Sequence, residues 1–477
     1  MLLSQLLCGV EAEWEKEDLS VSAICYNSQK ATEGCMFVCI KGFQADGHRY
    51  IEDAIHRGAK AVVVEDDVSF EGAVKIRVPD SRKALAQMSA TWFLHPAKEM
   101  KIIGVTGTNG KTTVTSLIKQ ILEFSGKKVG LIGTNGNMIG DELLESERTT
   151  PESYELHELF RAMRDRGVEY VVMEVSSHSL VLSRVYGIPF ACGVFTNLTQ
   201  DHLDFHETME KYLEAKKMLF LMCETAIVNI DDAAGKKIVD DAACPMTSYS
   251  IDEKAEWQAE NVRISARGIL FDFKHEDKSY AVRLGIPGKF SVYNAMAAAV
   301  CAIQLGFSPE DVFTALTVAQ GVRGRAETVY TNTDYTVIID YAHTPDGLDN
   351  IIRTVKEFAK GRVITVFGCG GDRDRTKRPI MGEIAGNLSD FCIITSDNPR
   401  TEEPMSIIYE IEEGMKRTDC EYILIENRRD AIGYALEIGK EGDCIILAGK
   451  GHETYQIIGK EKKDFDERVI IKELLEG

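Results

Sequence analysis

At 477 residues, 44% hydrophobic and 27% charged, the chain is too long for one ordinary core, and about 150 residues per domain predicts roughly three domains. A net charge of −20 and a pI near 5.1 exclude a general electrostatic grip on nucleic acid or anionic membrane, because phosphate binding needs basic stripes. Twelve scattered cysteines, with no C-x-x-C pair, no secretory leader and no bilayer-length apolar run, predict reduced thiols in a cytoplasmic protein.

After the short apolar opening "MLLSQLLCGV", the β-like runs "MFVCIKG", "AKAVVVE" and "VKIRV" alternate with the helix-like "HRYIEDAIHRG" and "SRKALAQMSATWF". They predict a small α/β unit, closed by the Pro break in "LHPAKEM". A second unit opens with the strand "KIIGVTG" and continues through "YVVMEVS", "CGVFTNL" and "TAIVNID". The more polar runs "AENVRIS", "GILFDFK" and "SYAVRLG" predict a hairpin-rich insert near 256–285, followed by the helix "VYNAMAAAVCAIQLGF". From about Tyr330, five strand-like runs separated by amphipathic helices predict a parallel doubly wound sheet: "TVIIDYA", "RVITVFG", "FCIITSD", "YILIEN" and "CIILAGKG". The expected domains are residues 1–97, 98–328 and 329–477.

"GVTGTNGKTT" lies between a strand and a helix. Gly107 and Gly110 let backbone N–H groups approach phosphate oxygens, Lys111 adds charge, and Thr112 offers a hydroxyl to magnesium. Val105 stands where the full G-x-x-x-x-G-K-[ST] spacing has glycine, so the loop is the shorter G-T-N-G-K-T form. No N-K-x-D follows, and "GCGGDR" fails G-x-G-x-x-G at Arg373; a GTPase and a dinucleotide dehydrogenase both lose ground. Glu174 ends one apolar strand and His202 comes just after another, where a magnesium shell beside a phosphate loop is expected. His202 and His206 lack the third ligand that zinc requires. "KYLEAKKMLF" has a helical period, and composition alone predicts that its lysines are exposed. "SDNPRTEEP" follows a buried strand, so Asp397, Asn398 and Arg400 sit on a loop stiffened by Pro399, where open α/β sheets bind ligands; Arg373 reaches the same crevice.

The ordered set "GTNGKTT", "MEVSSH", "TNLTQDHLDFH", "YLEAKK", "YNAMAAA", "GRAE", "DYAHTPD", "GCGGDRD", "DNPR" and "GKGHE" resembles the Mur ligase family over essentially the whole chain. That family builds the peptide stem of bacterial cell-wall precursors. The resemblance implies a small α/β N-terminal domain, a central P-loop ATPase-like α/β domain and a C-terminal doubly wound Rossmann-like domain. It implies that Gly107, Thr108, Asn109, Gly110, Lys111, Thr112 and Thr113 hold ATP phosphates and that Asn294, Arg325 and Asp340 contact the nucleotide. Thr112 and Glu174 fall to one magnesium, and His202 with a carbamate on Lys216 to a second. An ammonium about 4 Å from another unit of positive charge is repelled by roughly 4 kcal/mol at an effective dielectric near 20, and conversion to a carbamate anion removes that repulsion.

For a UDP-sugar peptide the matching positions are Ser28, Phe43, Gln44, Ala45, Thr149, Thr150, Ser176 and Arg184. Asn27-Ser28-Gln29 replaces the family's usual D-S-R, and Leu182 stands where some relatives carry a polar contact. The late motifs are most similar to members that add meso-diaminopimelate to UDP-MurNAc-L-Ala-D-Glu through an acyl phosphate. Arg400 then takes the far carboxylate, Asp397 and Glu453 the distal ammonium, and Arg373 the near carboxylate. Asn398 adds neutral hydrogen bonds, and Pro399 and Gly449 lie in the same pocket. The expected partners are small molecules, with no nucleic acid or membrane, and the expected state is a monomer. A lysine-adding relative, a folylpolyglutamate synthetase-like ligase and a nucleotide-gated binder without turnover are the alternatives.

Overall fold

The apolar runs read above become strands, and these collect into three main sheets and one small hairpin. The computed structural model describes residues 1–476 apart from 16, 17, 43, 44, 145, 147, 266 and 267, and at 204 the backbone alone. Phe43 and Gln44, expected to touch the UDP-sugar, therefore lie outside the described residues.

The first sheet runs Glu13–Trp14, Val74–Arg77, Ala61–Val64, Met36–Val38, Ile24–Cys25, with only the first pair antiparallel. Helix Ser81–Trp92 starts where the Asp80 side chain accepts from the N–H groups of Arg82 and Lys83, satisfying two of its free donors. The opening apolar stretch forms the short helix Leu3–Leu6, which buries Leu3 and Leu6 against this sheet's core. The Pro break is a 3₁₀ turn, Pro96–Glu99, entered through left-handed Leu94 and His95.

The second sheet has six parallel strands in the order Met246–Ser250, Cys223–Asn229, Phe190–Phe195, Lys101–Thr106, Tyr170–Glu174, Val129–Gly133. Side chains alternate across it: Ile103 and Val105 face the core under helices Lys111–Phe124 and Lys289–Gln304, and Ile102 faces the opposite core. Strands Trp257–Ser265, Gly268–His275 and Lys278–Leu284 form the expected antiparallel meander, but they are not a separate insert. Trp257–Ser265 pairs with Met246–Ser250 and extends the central sheet, and Trp257, Phe271 and Phe273 join its core. Their inward-facing aromatics outweigh the polar composition of the run.

The third sheet runs Glu327–Val329, Thr336–Asp340, Cys444–Ala448, Val363–Phe367, Phe391–Ile394, Glu421–Leu424. The five expected strands are parallel, and the edge strand Glu327–Val329 is antiparallel to them. Helices Pro345–Lys356, Lys377–Leu388 and Pro404–Met415 cover one face, and Arg428–Ile438 and Glu467–Glu476 the other, so the sheet is doubly wound. The loops leaving neighbouring strands at Asp340, Ala448, Phe367 and Ile394 stand side by side at one sheet edge. Among the described residues no helix is long and apolar enough to cross a membrane.

Candidate active site

The phosphate loop is shaped by contacts that only glycine permits. Gly107 has φ 149°, and a Cβ there would run into Thr196 Oγ1. Gly110, at φ 85°, starts helix Lys111–Phe124, and a Cβ there would lie 2.6 Å from Asn294 Oδ1. The loop therefore wraps against Thr196 and buried Asn294, leaving the helix N-terminus as a cradle of N–H donors for an anion. Thr196 Oγ1 donates to Asn109 O at 2.6 Å, and Asn109 N donates to Asn197 Oδ1 at 2.9 Å. Thr108 Oγ1 lies 3.2 Å from Tyr212 Oη, and Thr113 is buried behind the loop.

Two lysines meet at one carbonyl. Lys111 Nζ donates to Gly107 O at 2.9 Å and to Thr108 O at 2.8 Å, and Lys216 Nζ donates to the same Gly107 O at 2.9 Å. Lys216 is 1% exposed and lies 4.3 Å from the Tyr212 ring centroid. Burial first, and then the Lys111 charge, push its pKa well down; Asp201 opposes the shift. Burial lowers Lys111 as well, against the pull of Glu174. The expectation that the lysines of "KYLEAKKMLF" are solvated fails at Lys216. Tyr212, Leu213 and Lys216 share the buried face of helix Met209–Lys217, a phase the 3.6-residue period already carried.

Glu174 is 1% exposed at its strand's end. Its carboxylate accepts from Thr134 N at 2.8 Å and Thr134 Oγ1 at 3.1 Å, and Thr134 Oγ1 is 3.0 Å from Thr149 Oγ1. Thr112 Oγ1 accepts from Arg325 Nη2 at 3.3 Å. A hydroxyl and a carboxylate are hard oxygen donors, the set that suits magnesium. His202 has left-handed φ 54°; its ring lies 4.8 Å from that of His178 and 6.3 Å from that of Tyr212. His202 and Lys216 thus approach the same ring. His206 is buried, stacked on Tyr212 and 2.8 Å from Ser177 Oγ.

Across from Thr112, Arg325 lies over the Tyr341 ring at 4.9 Å, and Tyr341 meets His452 with ring centroids 4.8 Å apart. Asp340 Oδ2 accepts from Ala326 N at 2.6 Å; burial raises its pKa and Arg325 opposes the rise. Arg325 Nε, His452 Nδ1 and Asn135 Oδ1 are buried without a hydrogen-bond partner among the described residues. Such orphaned polar atoms fit a pocket built for a polar ligand. Asp346, which the sequence reading did not single out, ties the third unit to the phosphate loop: its Oδ2 accepts from Asn109 Nδ2 at 2.6 Å and Thr199 Oγ1 at 2.9 Å.

Thr150 Oγ1 donates to Glu174 O at 2.9 Å and lies 3.4 Å from Ser176 Oγ, which caps helix Ser177–Val181. Arg184 reaches Thr150 O and Glu152, both at 3.2 Å. The first unit arrives at helix Ser153–Asp165, which Glu152 caps: Tyr26 Oη donates to Glu155 at 2.5 Å, and Arg82 lies 3.7 Å from Glu152. Ser28 is buried in the turn capped by Asn27, and Ala45 O accepts from Gly42 N at 2.9 Å.

In the third sheet two loops press together. A Cβ on Gly368 would collide with Thr395 O, and one on Gly371 with Pro399 O. Arg400, at φ 51°, is held by its N–H to Ile457 O at 3.1 Å and by Gly459 N to its own carbonyl at 2.7 Å. This left-handed backbone costs roughly 1–2 kcal/mol. Arg400 Nη1 donates to Gly371 O at 2.8 Å, while Glu402 pairs with Arg378 at 2.8 Å, so among the described residues Arg400 is not spent on a surface acid. A Cβ on Gly370 would lie 2.8 Å from Arg400 Nη1 and 3.8 Å from Arg373 Cγ, which places both arginines around one glycine. The acids expected to meet an external ammonium already hold an internal one: Lys450 Nζ lies 3.4 Å from Asp397, 3.2 Å from Asn398 Oδ1 and 3.1 Å from Glu453. Asn398 Nδ2 also donates to Glu453 at 2.9 Å, and Gly449, at φ 114°, packs against Asp397.

Residues 20–93 match the description "Mur ligase family, catalytic domain", residues 105–302 "Mur ligase middle domain" and residues 324–451 "Mur ligase, glutamate ligase domain". A UDP-N-acetylmuramoyl-L-alanyl-D-glutamate--2,6-diaminopimelate ligase of Caldanaerobacter subterraneus subsp. tengcongensis is 50% identical, covering 100% of this chain and 99% of that protein. The chain belongs to the Mur ligase family. A solved structure of a ligase of the same description superimposes on this Mur ligase with a TM-score of 0.72 at 30% identity, over 100% of this chain and 99% of the other. Folylpolyglutamate synthase of Mycobacterium tuberculosis, 16% identical with a TM-score of 0.64, shares the fold over 77% of this Mur ligase and 92% of its own chain.

Proposed function

We propose that this Mur ligase joins meso-2,6-diaminopimelate to UDP-MurNAc-L-Ala-D-Glu at the expense of ATP, acting as a monomer in the cytoplasm. Residues 1–97 bind the UDP-sugar end, 98–328 the nucleotide and 329–477 the amino acid. The observation that carries the reading is that the Arg400 guanidinium and the Arg373 stem both border Gly370, beside buried Asp397 and Asn398 and the partly exposed Glu453. Two guanidiniums match an amine donor with two carboxylates, and lysine leaves one of them unmatched. The full-length 50% identity to a diaminopimelate ligase supports the same reading.

The substrate carboxylate attacks the γ-phosphorus of ATP; the new P–O bond forms as the bond to the bridging oxygen breaks, and ADP leaves. The amine nitrogen then attacks the acyl carbon, a C–N bond forms, inorganic phosphate departs and the amine loses a proton. Carboxylate and triphosphate repel, so the protein has to gather positive charge. The N–H groups opening helix Lys111–Phe124 do this, and Lys111 exchanges its two carbonyl acceptors for phosphate oxygens in stronger charge-assisted bonds. Arg325, stacked on Tyr341, supplies a further cation from the opposite wall. Asp346 draws the third unit onto Asn109 and Thr199, bringing the amine pocket to the phosphate loop.

Thr112 and Glu174 suit one magnesium ion and His202 with a carbamate on Lys216 a second; bound magnesium supplies Lewis-acid charge at phosphate oxygens. Carbamate formation needs a neutral amine: the lone pair attacks carbon dioxide, a C–N bond forms and one proton is lost. The depressed pKa of Lys216 favours that form. The direct test is product mass from ATP, UDP-MurNAc-L-Ala-D-Glu and either amine. A diaminopimelate adduct with stoichiometric phosphate is expected. A lysine adduct, or folate-dependent ATP hydrolysis, would replace the reading, and tight binding of all substrates without phosphate release would make the chain a binder.

A further inference from the structure

The side chain of Lys450 is 0% exposed, and those of its partners Asp397 and Glu453 are 7% and 12% exposed. The three come from two loops at the carboxyl ends of strands that flank Val363–Phe367, one after Phe391–Ile394 and one after Cys444–Ala448, and Ile457 N ties the two by donating to Asn398 Oδ1 at 2.9 Å. The Tyr455 and Phe465 rings lie 5.9 and 5.8 Å from the Lys450 ammonium. A lysine placed there is shielded from water and has no role in the chemistry described so far.

We propose that Lys450 is a positioning residue that sets amine specificity, by neutralising one of the two carboxylates so that the pocket offers a single net negative charge beside Arg400. One ammonium-seeking charge next to one guanidinium complements a zwitterionic amino-acid end. Two free carboxylates would instead favour an end that is purely cationic, the lysine side chain. Lys450 also fixes the Asn398 amide, whose oxygen takes the ammonium and whose nitrogen is thereby aimed at Glu453. The inference rests on the proposed reading of the reaction.

Phosphate release is measured with the full chain, varying ATP, UDP-MurNAc-L-Ala-D-Glu, diaminopimelate and lysine in turn, for the wild type, Lys450→Met, Lys450→Arg and Lys450→Met/Asp397→Asn. Lys450→Met is expected to lower the kcat/KM preference for diaminopimelate over lysine by about tenfold or more, with KM for ATP and the UDP-dipeptide within about twofold of wild type. Lys450→Arg retains part of the preference. The double variant restores the single negative charge and recovers most of it, and it carries the test if Lys450→Met fails to fold. An unchanged preference in folded Lys450→Met, a double variant with no recovery, or a parallel rise in every KM overturns the proposal. A wild type that does not turn over diaminopimelate overturns the reaction reading and the inference with it; normal wild-type selectivity with any of those variant results overturns the inference alone.

Discussion

Lys216 and Lys450 are buried to the same degree, yet their surroundings are opposite. Lys216 has a carbonyl, an aromatic ring and a second lysine for company. Lys450 has two carboxylates and an amide oxygen. An ammonium without a counter-charge in a dry site is driven toward the neutral, nucleophilic amine. One held between carboxylates stays a fixed charge that organises its neighbours. The same residue type thus sits beside another lysine in one unit and between carboxylates in another, and what packs around it sets the role proposed for each.

The comparison breaks first at Lys216. Lys216→Ala is expected to lower kcat by at least about 10³-fold, with partial rescue by a small added carboxylate; full activity without rescue removes the carbamate from the account. At the amine pocket, Arg400→Ala should cost about 10²-fold or more in kcat/KM for diaminopimelate while nucleotide affinity, read by calorimetry, survives. Unchanged selectivity over lysine would take Arg400 out of the pocket. Gly371→Ala forces the arginine-bearing loops apart, since its Cβ meets Pro399 O. A loss of about 1–3 kcal/mol of stability and a raised KM for diaminopimelate, with KM for ATP unmoved, are expected.

The smallest effect is on pH dependence. The folded pKa of Lys216 is depressed below the 10.5 of an ordinary lysine, so the unfolded chain binds more protons between those values. In carbon dioxide-free buffer this lysine therefore adds stability as pH rises through that window and withdraws it as pH falls. Lys216→Met should flatten that slope in denaturant titrations, and an unaltered slope would mean Lys216 is not desolvated as an amine.

Much of the candidate site was legible because the ends of apolar runs mark where strands stop and loops begin. The phosphate loop, Glu174, Arg373, Asp397 and Arg400 all follow such runs. Lys216 was legible only through the family resemblance, since composition argued for exposure; its burial follows from the helical phase it shares with Tyr212 and Leu213. Lys450 was not: nothing in "AGKGHE" says that Gly449, at φ 114°, and Gly451, at φ 53°, turn the lysine inward toward a loop some fifty residues away in sequence. Asp346 was hidden for the same reason, because its partners Asn109 and Thr199 belong to another unit. The meander at 257–284 joined the central sheet through a parallel pairing that residue patterns do not encode.

The central claim is that the third unit chooses the amine by its far carboxylate. A competition assay with equimolar meso-diaminopimelate and lysine, ATP and UDP-MurNAc-L-Ala-D-Glu, read by product mass, tests it most directly. The product bearing the extra carboxyl group is expected almost alone in the wild type, and a mixture in Arg400→Ala. Equal incorporation of both amines by the wild type would contradict it.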